Sequence, residues 1–180
     1  NQHKITCKRN FNQKMKKKIF SSKAKNLLNL KLKKTKIPKS IFFNVKEFKK
    51  NKYKIIEKIQ KNFIKKIIVR SSNNFEDSNK SSLAGNFVSV PGVNPKDKTQ
   101  LINSIFKVIN SYKKFYSEKN EILIQDFITD IKMSGVATSC DLKTYSPYIT
   151  INFSNEDNTS AITLGKKNYK TFVFLRKSKI

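Results

Sequence analysis

Cysteine, glycine, acidic residues, arginine and long apolar runs are all scarce in this chain, and each shortage narrows what it can be. The two cysteines, Cys7 and Cys140, have no metal-ligand spacing and read as reduced thiols of a cytoplasmic protein. With four glycines there is no Gly-x4-Gly-Lys phosphate loop. No apolar run approaches the roughly 18–20 residues that span a bilayer. The basic start "NQHKITCKRNFNQKMKKKIF" lacks an apolar core with a small-residue cleavage site, so no secretory signal and no membrane partner is expected. The chain opens without methionine, and its natural start is expected to lie outside these residues.

Acidic residues number 12 against 39 basic ones, a formal net charge of +27. Clustered cations of that number usually point to nucleic acid. Here, however, the lysines run along the whole chain beside abundant asparagine and isoleucine, residues that share A/T-rich codons. Only Arg9, Arg70 and Arg176 are arginines, whereas phosphate and base recognition favours the bidentate guanidinium. A dedicated nucleic-acid role is therefore not expected. A solvated lysine surface is the simpler reading, and an anionic small-molecule ligand suits the same field.

What is present is a mixed pattern of periods. The 180 residues suffice for one core and a smaller appended lobe. "SSKAKNLLNLKLKK" opens with capping serines and places Leu27, Leu28 and Leu32 on one helical side. Pro38 breaks that helix, and Ile41 to Val45 reads as a short strand. Phe48, Ile55, Ile59 and Phe63 recur at helical intervals with lysines opposite. "KKIIVRSS" and "GNFVSV" read as strands around a polar loop, with a turn at "PGVNP". Leu101, Ile102, Ile105, Phe106, Ile109 and Tyr112 mark the clearest helix. Four strands follow: "EILIQDFI", "SGVATS", and an antiparallel pair "YITINFS" and "KTFVFLR". The fold class is α+β.

The stretch Ile67 to Val90 breaks the lysine habit. Its first strand ends in Arg70-Ser71-Ser72, a planar cation and two hydroxyls at the mouth of a sheet. The small residues of "SSLAG" let backbone approach an anion closely. By residue type alone there are two readings: an anion-binding loop, in which Glu76 and Asp77 orient Arg70 or organise the loop, or an ordinary β-hairpin whose polar loop carries a surface ion pair.

The order of residues adds a third consideration. "VRSSNNFEDSNKSSLAGNFVSV" resembles the signature of the N-terminal ATP-binding domain of pyruvate phosphate dikinase and phosphoenolpyruvate synthase. That signature runs Val-Arg-Ser-Ser, a spacer, Glu-Asp, then Ser-Phe-Ala-Gly-Gln and a strand. Val69, Arg70, Ser71, Ser72, Glu76, Asp77, Ser82, Ala84 and Gly85 match, while Leu83 and Asn86 depart from it. Upstream, "SSKAKNLLNL" is similar to the family's Gly-Gly-Lys-Gly-x-Asn-Leu helix start through Lys23, Asn26 and Leu27, and "TKIPKSIFFNV" looks like the segment after it. Downstream, "EILIQDFITDIKMSGVATSCD" resembles a family strand pair through Gln125, Ser134, Gly135, Val136 and Ala137. The likeness covers about residues 20–175.

The resemblance implies an ATP-grasp-like domain, with residues 1–19 as a basic extension and 20–180 as the N-terminal part of the ATP-binding domain. It implies that Lys23 and Arg70, with Ser71, Ser82 and Gly85, contact the ATP phosphates. Glu76 and Asp77 would organise the loop, and Gln125 through Ile128 would fall at the adenine. For Lys23 the plain alternative is a solvated helix-start lysine; for Gln125, a strand-edge amide.

The departures carry information too. The family's Gly-Gly-Lys-Gly is Ser21-Ser22-Lys23-Ala24 here, a turn with less backbone freedom. Nothing after Leu164 is similar to the family's magnesium-binding stretch. His3 lies outside the matched region and is no candidate for the family's phosphocarrier histidine. Mg2+ ligands, a second lobe and a phosphocarrier-histidine domain are therefore expected outside this chain, as parts of a larger phosphotransferase. The acceptor stays open among pyruvate, rifampicin, starch glucans and the glutamine amide. Thr163 to Gly165 lean toward the divergent glutamine-kinase-like members of surface-polysaccharide pathways. An inactive fragment, or a basic nucleic-acid binder, remain the alternatives.

Overall fold

The structure is a computed structural model that describes residues 23–30, 35–72, 88–141, 144–155 and 169–176. The chain divides into two compact units, passing from one to the other between Phe127 and Ile128. The architecture is α+β, with antiparallel sheets in both units.

The first unit begins with helix α1 (Lys23–Leu28), strand β1 (Ser40–Asn44) and helix α2 (Val45–Asn62). It continues with β2 (Ile67–Ser72), β3 (Ser89–Val93), helix α3 (Lys98–Ser111), a 3-10 turn (Lys113–Phe115) and β4 (Glu121–Asp126). The four strands form one sheet in the order β1-β4-β2-β3. Helix α2 starts abruptly because Asn44 and Glu47 form a capping box. The Asn44 side chain accepts from the Glu47 N–H and the Glu47 carboxylate from the Asn44 N–H, both at 2.8 Å. The helix kinks at Asn51, whose φ of −128° and ψ of 35° are not helical. Asp97 caps α3 through its side chain alone, accepting from the Gln100 N–H at 2.9 Å.

Both long helices cover one face of the sheet. Phe48, Ile56 and Ile59 from α2, with Phe63 at its C-cap, join Leu101, Ile105 and Val108 from α3 over Ile67, Val69, Ile122 and Ile124. All of these are buried, and the helical spacing of the apolar residues accounts for both stripes. Phe106, expected on the buried side of α3, is partly exposed and stands edge-on to Phe48 at 5.7 Å. Outside, lysines lie over the protein's own aromatic rings. The ammonium groups of Lys52 and Lys98 stand 5.6 and 4.9 Å from the centre of the Tyr53 ring.

One element departs from the sequence expectation. "PGVNP" does not turn the chain at Pro91; β3 runs on through Pro91, Gly92 and Val93. Its register against β2 shifts between Ile67 and Val69, and Gly92 has a φ of +71°. β3 is an outer strand, where a residue that has no N–H to donate is tolerated. Gly92 takes up the irregularity in a conformation that side-chain-bearing residues avoid.

The second unit contains β5 (Ser134–Thr138), β6 (Tyr148–Ser154) and β7 (Lys170–Leu175), in that order across an antiparallel sheet. The pairing of "YITINFS" with "KTFVFLR" is the expected one. One face gathers Ile149, Ile151, Phe153, Phe172 and Phe174, with Phe153 stacked on Phe172 at 5.3 Å. Gly135 faces Phe153 across the β5–β6 ladder. A Cβ at Gly135 would lie 2.8 Å from the Asn152 carbonyl oxygen, which explains the glycine. No helix among the described residues is long and apolar enough to cross a membrane.

Candidate functional site

The face of the four-stranded sheet away from α2 and α3 carries Arg70, Ser72 and Gln125. Side chains alternate along a strand, so Ile67, Val69 and Ser71 face the helices while Ile68, Arg70 and Ser72 face the other way. The registers align this second face in three rungs. Ser40, Gln125 and Ile68 form one; Phe42, Leu123, Arg70 and Ser89 the next; Asn44, Glu121 and Ser72 the last. From Gln125 to Glu121 the strand rises about 14 Å.

Arg70 occupies the middle rung and is half-buried. Its Nε is fully buried and has no hydrogen-bond partner among the described residues. A guanidinium keeps its charge at any ordinary pH and offers five donors in one plane. Leaving such a donor dry and unpaired costs about 1–3 kcal/mol. An anion with oxygens arranged for a planar fork would recover that cost, and phosphate is such an anion.

At the Ser72 end, several groups meet. The backbone N–H of Ala24 donates to Ser72 Oγ at 2.9 Å, so the first turn of α1 is held by the strand that carries Arg70. Lys23 is the first residue of that helix. Beside it, Lys25 Nζ pairs with Glu121 Oε1 at 3.1 Å; the lysine side chain is 52% exposed and the carboxylate 11%. Tyr112, completely buried at the end of α3, closes the rung from the core. Its hydroxyl accepts from the Ser72 N–H at 3.3 Å and donates to the Glu121 carbonyl at 2.5 Å.

At the other end, the buried Gln125 amide donates to Ser40 Oγ at 3.2 Å, and that hydroxyl donates to the Pro38 carbonyl. Ile128, two residues past the end of β4, is 55% exposed.

The structure thus gathers the Lys23 helix start, Arg70 and Gln125 along one sheet face. Ser71 lies on the opposite, helix-covered face, where it is buried. Ser82, Gly85, Glu76 and Asp77 lie outside the described residues. Among the described residues no cluster of three or more His, Cys, Asp or Glu is placed to hold a metal. Sequence patterns offered Ser72 only as one of two hydroxyls at the end of a strand, and gave no site role to Tyr112, Glu121 or Lys25. Tyr112 read only as one more apolar position of its helix, because nothing local in a sequence shows where a tyrosine hydroxyl ends.

No curated protein matches this chain significantly. The profile of the pyruvate phosphate dikinase AMP/ATP-binding domain matches residues 2–162. The match spans most of the chain, and its ligand class agrees with a sheet face that carries Arg70, whose buried Nε has no partner among the described residues. The chain belongs to the pyruvate phosphate dikinase AMP/ATP-binding domain family.

Proposed function

We propose that this chain binds ATP over the sheet face that carries Arg70 and serves as the nucleotide-binding part of a larger phosphotransferase. The observation that carries the reading is the buried Nε of Arg70, which has no partner among the described residues. Arg70 and Lys23 grip the phosphates, with Ser82 and Gly85 supplied by the loop after β2 and Glu76 and Asp77 organising that loop. Gln125 and the backbone through Ile128 border the adenine. As the γ-phosphoryl group leaves, charge shifts toward the β-phosphate oxygens, and a fixed guanidinium stabilises that shift without reorganising.

Mg2+ accompanies the nucleotide and neutralises phosphate charge, with protein ligands outside this chain. The phosphoryl group passes to a carrier histidine or to a small acceptor held by the remaining parts of the enzyme. A glutamine-kinase-like acceptor is favoured over pyruvate by the Thr-Leu-Gly at residues 163–165. The protein works in the cytoplasm, where ATP is plentiful.

Calorimetric titration with ATP and magnesium at moderate salt tests the reading on the parent chain and on Arg70→Ala. The parent binds, and the variant binds at least about tenfold more weakly, as expected for a lost charge-assisted contact. A folded parent that binds no ATP, or an Arg70→Ala variant that binds as tightly, overturns it. Affinity that collapses with added salt and ignores Arg70 would point to a basic polyanion binder instead.

A further inference from the structure

We infer that Ser72 is a positioning residue, which sets the place of Lys23 relative to Arg70 and so tunes the phosphate grip; this rests on the ATP reading above. Helix α1 has six residues, too few to hold itself in water. A helix cap is normally a side-chain oxygen that accepts from the second or third N–H of the helix. Here that oxygen comes from Ser72, 48 residues along the chain, through the bond from Ala24 N–H.

Ser72 is suited to the task by its own fixation. It is almost fully buried, and its backbone N–H is held by the Tyr112 hydroxyl. The same hydroxyl is tied to the Glu121 carbonyl, on the register partner of Ser72. Glu121 then holds the next residue of the helix, Lys25, through the ion pair. Ser72 and Arg70 are alternate residues of one strand on one face, about 7 Å apart along the chain. The helix start is therefore referenced to the same strand as the guanidinium. A shift of α1 moves Lys23 against Arg70 and leaves Gln125, two rungs away, untouched.

The experiment measures ATP and adenosine affinity for Ser72→Ala, Lys23→Ala, the double variant and the parent. Ser72→Ala weakens ATP about five- to tenfold, the loss typical of an N-cap, and leaves adenosine affinity unchanged. In the Lys23→Ala background the Ser72→Ala change has no further effect, because the residue acts through Lys23. Lys25→Ala, whose side chain is half exposed, loosens the same helix without a buried change and gives the same phosphate-selective loss. It stands in should Ser72→Ala fail to fold.

Equal losses for ATP and adenosine, or losses that add in the double variant, overturn the inference. So does a Ser72→Ala or Lys25→Ala variant that binds like the parent while Arg70→Ala does not bind; the ATP reading then stands alone. A parent chain that binds no ATP removes both.

Discussion

Replacing Arg70 by methionine separates what the arginine does for binding from what it costs the fold. Methionine keeps an unbranched stem but brings no donor, so the buried Nε–H, which has no acceptor among the described residues, is gone. A buried unsatisfied donor costs about 1–3 kcal/mol, and a half-buried residue belongs at the low end, about 1 kcal/mol. For a unit of this size that corresponds to a melting point raised by roughly 4 °C without nucleotide. With ATP at a hundred times its Kd the parent gains about 2.7 kcal/mol, or roughly 10 °C, and the variant gains little. The order of stability therefore inverts: the variant is the more stable protein alone, and the parent the more stable with ATP. Melting curves by calorimetry or dye binding, with and without magnesium and ATP, read both numbers. An unliganded Arg70→Met that melts several degrees below the parent would mean that Arg70 has a structural partner. The argument from an unpaired donor would then be wrong.

Two further outcomes test other parts of the structure. Gly135→Ala forces a Cβ to 2.8 Å from the Asn152 carbonyl oxygen and destabilises the three-stranded sheet by about 1–3 kcal/mol, seen as loss of amide protection in β5 and β6; a variant with parental protection refutes the close approach. Lys49 has its pKa raised above the ordinary lysine value, chiefly by its hydrogen bond with Tyr116 and then by the charges of Tyr116 and Glu118, so its contribution is complete below that ordinary value and is lost as pH rises through the raised one. Tyr116→Phe brings the Lys49 midpoint down in an NMR titration, and an unmoved midpoint sinks the assignment.

How much of this was readable without coordinates differs from element to element. Helix α3 was, because Leu101, Ile105 and Ile109 recur on one stripe and all three are buried. β2 and β4 were, because β-branched runs between polar loops leave few alternatives. Arg70, Lys23 and Gln125 were marked by residue order, and the rungs of the sheet gather the elements that carry them. The bond from Ala24 to Ser72 was not readable, since it depends on where a distant strand ends, and no periodicity encodes that. The same holds for the Tyr112 hydroxyl, whose helix position is set by its apolar ring while its tip serves two strands. The extension of β3 through "PGV" escaped because proline and glycine in sequence signal a turn. Only the strand's place at the border of the sheet makes them compatible with pairing.

That border has a consequence for the protein's solubility. An outer strand is normally an invitation, a row of free N–H and C=O groups onto which a strand of another molecule can zip. β3 refuses the invitation: Pro91 contributes no N–H, and the left-handed Gly92 throws the row out of line. A polypeptide rich in β-branched residues is most exposed to such zipping while it is being made. Two residues that look like a turn guard this flank against aggregation.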